Sequence, residues 1–356
     1  MNPPLFFLLL AAGLLVWTAL PFIPAILELR RPTDFLALDV PEYYEADTRF
    51  FARSFRDHIR AELTDSPSET GDGRFPEGAV MSFLTGEGRS AVSTETDPAN
   101  PGEALVLFAA TRVAVPNGAA LTSDVYAPGG IDGGEDVTYR ALYADSDIQL
   151  GQGSAVLRWI HADGAMWVGA NTLLAGRASS EISLELAEGV QFERLYAPEI
   201  SFGTSENAAD PEFASGPLTL QLDDQHSRGV ATFKDDLELP ERSLVLSDIV
   251  CRGSLVIGRG SVIRGSIKAH FGMELRDGVR VEGAVVSVRT LNIGKNCFLR
   301  GPVISEREAY LAEGAKVGTA ACETSFVART IYAAPGSVAH GTVWARTLGF
   351  VTPLVE

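Results

Sequence analysis

Three histidines are the side chains of this chain best suited to act as a general base. A catalytic histidine takes a proton from a nucleophile, and a neighbouring carboxylate usually holds its ring in place. His161, His270 and His340 stand 8, 10 and 4 residues after corner positions of a repeat that runs through the sequence. No carboxylate occupies a recognisable orienting position beside any of them. We therefore expect all three histidines to lie at the surface and to have no catalytic role.

A column of charged residues is the next candidate for chemistry. Arg264, Glu282 and Arg300 follow one another at intervals of 18 residues. β-Helical enzymes that cleave polysaccharides cluster acids or bases on one face, but alternating charges on stacked strands predict a cross-strand ion ladder instead. The sequence also lacks glycine-rich phosphate-binding motifs and the HExxH metal motif. No enzyme activity is expected.

The three cysteines suggest neither a metal site nor a disulfide framework. Cys251, Cys297 and Cys322 are an odd number at unrelated intervals. Cys297 takes a small-residue position of the repeat and is expected in the core. The formal net charge of −17 argues against nucleic acid as the main partner, because no basic patch is large enough to hold a phosphate backbone. No cofactor or metal ion is expected.

A repeat of 18 residues supplies the elements that would position these side chains. Apolar residues keep fixed offsets within each repeat and alternate with polar ones, which is the periodicity of β-strands. Most repeats carry Gly or Asn where a tight corner needs a left-handed backbone conformation. Arg242 stands at one such position, so that corner is expected to be built differently. The predicted corners are Gly118, Gly153, Asn171, Gly189, Gly260, Gly278, Asn296, Gly314 and Gly336, with a second set at Gly265, Gly283, Gly301 and Gly318.

This repeat predicts an all-β fold, a parallel β-helix or β-solenoid with about 18 residues per turn. The first half of the solenoid is assigned to residues 103–203 and the second half to residues 237–346. A C-terminal tail follows at 347–356. Between the halves the register of the repeat is lost, and residues 204–236 are expected to form an insertion or β-arm. That arm is either a tolerated surface insertion or a partner-binding element.

The N-terminal region predicts a membrane anchor. Residues 3–27 carry no charge, and the run is long enough for a transmembrane helix, assigned to residues 3–28. A cleaved signal peptide is the alternative, but it would carry a basic N-terminal region and a shorter apolar run. Arg30 and Arg31 follow directly, so the positive-inside tendency favours the large domain on the cytoplasmic side.

An amphipathic helix is predicted at residues 42–63. Its aromatic face includes Phe51 and Phe55, and the opposite face carries a stripe of arginines. The helix either caps the open end of the solenoid, where strand edges would otherwise be unpaired, or contacts anionic lipid headgroups. Residues 64–102 are rich in Ser, Thr, Gly, Pro and acids and are predicted to form a linker with at most a short apolar strand around Val80 to Leu84. The arginines of the stripe are Arg49, Arg53, Arg56 and Arg60.

Between Leu237 and Thr342, the turns "LVIGRGSVIRGSI", "MELRDGVRVEGAVV" and "LNIGKNCFLRGPVI" resemble the bactofilin family of bacterial polymer-forming cytoskeletal proteins. The resemblance implies a compact, right-handed β-helix that polymerises end to end without nucleotide, here at the bacterial inner membrane. This chain differs from the family in its length, its insertion and its membrane helix. The candidate surface for self-association is the C-terminal end, with Trp344, Phe350 and Val351.

Three functions are consistent with these features. The leading interpretation is a membrane-anchored, non-enzymatic β-solenoid scaffold that self-associates or organises cell-envelope machinery. The alternative is a binding module that presents a solenoid face or the 204–236 arm to a polysaccharide or an envelope protein. A hexapeptide-repeat acyltransferase shares the 18-residue turn, but its corners would stand six residues apart, whereas the two corner sets here stand five apart.

Overall fold

The computed structural model describes residues 48–65, 73–74, 80–84, 90–91, 106–109, 112–203, 217–222 and 230–352. These residues form 32 β-strands and one α-helix, α1 (Phe50–Asp65). The predicted transmembrane helix at 3–28 and the start of the predicted helix at 42–63 lie outside the described residues. Within the described part, no helix is both long and apolar enough to cross a bilayer.

The first group of strands forms one stack of turns, which we call the first solenoid. Its strands pair in parallel except for the first two, which pair antiparallel. It begins with short strands inside the segment predicted to be a linker, so that segment contributes rungs to the stack. The strands are β1 (Gly73–Arg74), β2 (Val80–Leu84), β3 (Ser90–Ala91), β4 (Val106–Ala109), β5 (Val113–Ala114), β6 (Ala120–Tyr126), β7 (Ile131–Asp132), β8 (Thr138–Ala144), β9 (Ile148–Leu150), β10 (Ala155–Ala162), β11 (Met166–Val168), β12 (Leu173–Ser180), β13 (Leu184–Leu186) and β14 (Gln191–Phe202).

The second group forms a second stack of parallel turns, which we call the second solenoid. Most of its turns contain three short strands rather than the two of the first solenoid. The strands are β15 (Thr219–Leu222), β16 (Val230–Phe233), β17 (Leu237–Leu239), β18 (Ser243–Val245), β19 (Asp248–Cys251), β20 (Leu255–Ile257), β21 (Val262–Ile263), β22 (Ile267–Ala269), β23 (Met273–Leu275), β24 (Arg280–Val281), β25 (Val285–Ser287), β26 (Leu291–Ile293), β27 (Phe298–Leu299), β28 (Val303–Ser305), β29 (Glu308–Leu311), β30 (Lys316–Val317), β31 (Thr324–Ala333) and β32 (Ser337–Val351).

The 18-residue period produces the stacking because it returns each strand to the same place one turn later. Met273 pairs with Leu255 below and Leu291 above, each 18 residues away. Within the strand, Met273 and Leu275 are buried while Glu274 between them is exposed. The structure therefore confirms a β-solenoid, with about 12 turns of about 18 residues. At about 4.8 Å per turn the stack is about 58 Å tall.

The first set of corners has the backbone conformation that their residue types predict. Every member has φ between +54° and +80°, the left-handed region. Arg242 shares it with φ +59°, so the expectation of a differently built corner there was wrong. The side chain of Arg242 adds a hydrogen bond from Nε to the carbonyl oxygen of Pro217 at 3.3 Å.

Three of the second-set glycines serve a different purpose, because only Gly318 has positive φ, at +75°. Gly265, Gly283 and Gly301 lie one above another where the backbones of successive turns approach closely. A Cβ placed on Gly283 would lie 2.6 Å from the carbonyl carbon and oxygen of Gly265. Real Cβ atoms do not approach that closely, so these corners need glycine for space rather than for backbone freedom.

The two solenoids meet at their C-terminal ends. β14 is the last strand of the first solenoid and β32 the last of the second, and they pair antiparallel from Gln191–Phe350 to Phe202–Ser337. We call this pairing the tail-to-tail junction. Its inward side chains, among them Leu195 and Val343, are fully buried and belong to one hydrophobic core that runs through both solenoids. The chain direction along the stack therefore reverses at the junction.

This reversal explains why the repeat is interrupted between the halves. Gly203 ends the first solenoid at the junction, whereas β15 lies six strand pairings from β32, through β18, β21, β24, β27 and β30. β15 and β16 lie within the predicted arm at 204–236 and pair with β18 and β19, so these parts of it belong to the second solenoid rather than to an arm. Residues 204–216 and 223–229 of the predicted arm lie outside the described residues.

The C-terminal residues are also corrected. β32 extends to Val351, so most of the predicted tail at 347–356 is a strand. Trp344, Phe350 and Val351 lie on that strand, whose outer edge is occupied by β14 of the same chain. Val351 is fully buried. This edge is therefore not available to pair with a second copy, and self-association through the partly exposed side chains of Trp344 and Phe350 stays a prediction.

Candidate functional site

Helix α1 lies on the flank of the first solenoid and does not cap its end. Its buried face comprises Ala52, Phe55 and Ile59, at helical spacing. The Phe55 ring packs against Trp159 of β10, with 4.9 Å between ring centroids. Phe51, expected on the same face, is half exposed.

The predicted arginine stripe faces the solenoid. Arg49 and Arg53 both reach Glu181 of the turn after β12, at 3.2 and 2.8 Å. Arg49 also stacks on the Tyr196 ring of β14. The fourth stripe residue, Arg60, has a side chain outside the described part. Arg49 and Arg53 therefore have protein partners, and contact of the stripe with lipid headgroups stays a prediction.

A hydrogen-bonded chain of four side chains lies beneath α1. Ser179 lies 2.7 Å from His161 Nδ1, and His161 Nε2 lies 3.0 Å from Asp163 Oδ1. Since a carboxylate only accepts, Nε2 carries a proton, and in the neutral ring Nδ1 accepts the Ser179 hydroxyl hydrogen. The Tyr143 hydroxyl donates to the same Asp163 oxygen at 2.8 Å. Arg56 of α1 donates to the Tyr143 oxygen at 3.1 Å and thereby connects the helix to the chain.

This arrangement has the hydrogen-bonding order of a nucleophile, a base and an orienting acid. The expectation that no carboxylate orients His161 was therefore wrong, as was its surface position. However, Ser179 is 1% exposed and His161 is 0% exposed, so a substrate has no route to the hydroxyl. The geometry instead satisfies buried polar groups under α1 and fastens the helix to the rungs.

The sequence contained a signal for this cluster that the search for catalytic spacing missed. Tyr143, His161 and Ser179 stand 18 residues apart, so they occupy one outward column on β8, β10 and β12. Stacked strands place such residues side by side. Two members of the cluster could be found only from the three-dimensional structure. They are Asp163, which follows β10, and Arg56, which comes from the helix.

The ionisation of Asp163 depends on this cluster. Desolvation alone raises the pKa of Asp163, but the hydrogen bonds from His161 and Tyr143 and the charge of Arg56 outweigh it, so the net pKa is lowered. Burial, helped by the Asp163 carboxylate, raises the pKa of the Tyr143 phenol, which keeps its proton. A carboxyl group with a lowered folded pKa contributes stability above its unfolded pKa of about 4, and loses it as pH falls through the folded pKa.

Replacing Asp163 by Asn is therefore expected to loosen α1. The substitution removes the charge that Arg56, His161 and Tyr143 share, and hydrogen bonds to a charged group contribute about 1.5–3 kcal/mol. Amide hydrogen exchange in α1 should accelerate roughly 10- to 100-fold at neutral pH, and the wild-type helix should loosen similarly as the pH falls through the lowered pKa of Asp163. Asp277→Asn, which removes an ion-paired carboxylate of the second solenoid, is the control. Equal exchange in both variants would contradict this role.

The remaining sequence candidates are not brought together. His270 is exposed, and His340 Nδ1 lies 2.7 Å from the Pro198 carbonyl oxygen at the tail-to-tail junction. Among the described residues, Arg264, Glu282 and Arg300 make no salt bridge, so the predicted ion ladder does not form.

The thiols are likewise separate. All three cysteines are free, and no group of residues in the described part could hold a metal ion. Cys297 is fully buried, as its repeat position predicts, and burial raises the pKa of its thiol to about 12. Cys251 is also buried, whereas Cys322 is exposed.

An open groove of about 910 Å³ follows one face of the second solenoid. Tyr310 lines it and begins a stack of three rings with Tyr332 and Phe350, whose centroids lie 4.9 and 5.4 Å apart. Because the rings stack on one another, their faces are mostly used within the protein. The charged side chains in the groove also pair with each other, as Arg259 does with Asp277 at 2.8 Å. The groove therefore offers a sugar chain one free ring face at most.

Searches against protein-family models, curated protein sequences and solved structures return no significant match.

Proposed function

We propose that this protein is a membrane-anchored, non-enzymatic scaffold whose folded part is a rigid double solenoid. The tail-to-tail junction carries the proposal, because it fuses two stacks into one rod with a continuous core. A rod of this kind holds its two ends at a fixed separation. The uncharged run at residues 3–27 supports a membrane tether, on the cytoplasmic face of a bacterial inner membrane.

The bactofilin-like turns between Leu237 and Thr342 support a structural role in the cell envelope. The family resemblance implies that solenoids join end to end between molecules. In this chain, two solenoids join end to end within one molecule. Because β32 pairs with β14, its edge is not available to a second copy of the chain. The scaffold therefore organises partners or associates through other surfaces. In these turns most side chains pack between neighbouring turns or form the corners, so few groups remain for catalysis.

Negative-stain imaging of the full chain in detergent tests the proposal. We expect straight rods about 58 Å long with no variable bend at mid-length. Two lobes joined at variable angles would overturn a rigid scaffold. In cells that lack the wild-type protein, the Ser179→Ala variant should restore the normal phenotype, whereas a variant that disrupts the junction should not. Loss of function in a folded Ser179→Ala protein would instead favour an enzyme.

A carbohydrate-binding module is the second candidate, favoured by Tyr310 at the end of its ring stack. One ring face and the neighbouring Asn292 amide fit a single sugar unit of a neutral glycan. Tyr310→Ala should abolish any retention on an immobilised glycan without changing the rod in images. If the Tyr310→Ala variant is still retained on the glycan, the groove is excluded as the glycan-binding site.

A further inference from the structure

A small pocket lies where α1, the first solenoid and the tail-to-tail junction meet. It has a volume of about 380 Å³, within the range of small-molecule sites. Three arginines, Arg158, Arg177 and Arg194, line it, together with a single carboxylate, that of Glu193. This is a local excess of positive charge in a chain whose formal net charge is −17. Its aromatic walls are Phe51, Trp159 and Trp344.

The arginines are arranged by strand pairing across three rungs. Trp159 pairs with Arg177, Arg177 with Arg194, and Arg194 with Trp344 on the far side of the junction. Like charges on adjacent rungs destabilise a sheet. A site with two such neighbours is stabilised when an anion lies between or beside them.

Aromatic rings hold these guanidinium groups by their flat faces. The Cζ atom of Arg177 lies 4.6 Å from the centroid of the Phe51 ring, and that of Arg194 lies 4.5 Å from the Trp344 ring. Stacking of this kind uses the face of the guanidinium and leaves its N–H edge for an oxyanion. Arg177 lines the pocket and makes no ion pair with any carboxylate of the described residues. Its charge is therefore not neutralised by a neighbouring side chain, which favours an anionic ligand.

We propose that this pocket binds a phosphate group, presented either by a soluble phosphate ester or by a phospholipid headgroup. Arg177 and Arg194 donate from adjacent rungs, and Arg158 adds the third charge. The tryptophans pack against the carbon skeleton that carries the phosphate. Because α1 and the junction both contribute walls, the site exists only in the assembled rod. This function is separate from the scaffold proposal, which needs no ligand.

Tryptophan fluorescence of the full chain in nonionic detergent tests the site, since two of the four tryptophans line it. Titration with sn-glycerol 3-phosphate at constant ionic strength should give a saturable change that chloride does not. Arg177→Gln should weaken binding at least about tenfold, as expected for loss of a charge-assisted contact. Arg289→Gln is the matched control. Arg289 also stacks on an aromatic ring, with its Cζ atom 4.6 Å from the centroid of Phe271, but it does not line the pocket.

A second arm separates the two sources of phosphate. Micelles containing phosphatidylglycerol are compared with micelles containing phosphatidylcholine, without soluble ester. An Arg177-dependent response to phosphatidylglycerol alone assigns the site to a lipid headgroup, and a response to glycerol phosphate alone assigns it to a soluble ester. Arg194→Gln is a second variant, and thermal unfolding confirms that each variant is folded. No response to either probe, or a response that Arg177→Gln retains, overturns the proposal.

Discussion

Replacing Leu195 by Asp at the tail-to-tail junction should prevent the chain from forming a stable rod. Leu195 is fully buried and pairs with Val343 across the junction, in the core that both solenoids share. An unpaired carboxylate there has no partner and no water, and we expect a loss of at least about 4 kcal/mol in the free energy of unfolding. Denaturant unfolding followed by circular dichroism measures it.

The matched control is Leu157→Asp, the same change at a residue of β10 that is 53% exposed. It should alter the free energy of unfolding by no more than about 0.5 kcal/mol. Leu195→Ala tests the shared core more gently, with an expected loss of about 2–5 kcal/mol. Hydrogen exchange should then accelerate in β31 of the second solenoid as well as in β12 of the first. Acceleration confined to β12 would show that the two cores are independent.

Replacing Gly283 by Ala should destabilise the second solenoid although it adds only one methyl group. The new Cβ would lie 2.6 Å from the backbone of Gly265, and a backbone one turn away cannot move without shifting its own neighbours. We expect a loss of about 1–3 kcal/mol, the usual cost of overpacking. Thermal unfolding provides the measurement.

Gly272→Ala is the control for that prediction. Gly272 lies in the same solenoid, and the nearest atom to an added Cβ is 3.7 Å away, an ordinary van der Waals distance. This change should leave stability unaltered or slightly raised, because alanine restricts the unfolded chain. Similar losses for the two variants would mean that the close approach at Gly283 is not what requires glycine.

The individual turns could be predicted from the sequence because a solenoid rung depends on local spacing. Corner positions such as Gly260 and Asn296 combine a residue type with a fixed period, and both features are visible in one dimension. Burial follows in the same way, since Met273 and Leu275 alternate with Glu274. These predictions need no knowledge of where the rung lies in the stack.

The junction could not be predicted, because an 18-residue period is the same whichever way the stack points. Nothing in the spacing distinguishes a second solenoid that continues the first from one that is turned around to meet it. The loss of register after Gly203 was visible, but an arm and a reversal produce the same gap. The strands β15 and β16 within that gap pair with the second solenoid, which only the three-dimensional structure reveals.

The candidate sites were predicted only in part for a similar reason. The column of Tyr143, His161 and Ser179 follows from the period, but its role depends on a helix about 80 residues earlier in sequence than any of them. The phosphate pocket needs Trp344 from the second solenoid beside Arg194 of the first. Sequence spacing within one repeat carries no information about partners on another element.

The most direct test of the tail-to-tail junction is a disulfide across it. Ser201 of β14 pairs with Val338 of β32, and both are outward, partly exposed residues. Cα atoms of antiparallel partners lie about 4.5–5.5 Å apart, which suits a disulfide. With Cys322 changed to Ser to remove the one exposed thiol, Ser201→Cys/Val338→Cys should oxidise rapidly within a single chain.

The control pair is Ser201→Cys/Thr342→Cys, in which the second cysteine is four residues from the paired position, about 13 Å along the strand. Peptide mapping under non-reducing conditions identifies the linked residues. Our account predicts an intramolecular bond in the first pair and none in the control. Absence of the bond in the first pair, equal oxidation of both pairs, or a bond formed only between two chains would contradict the tail-to-tail arrangement.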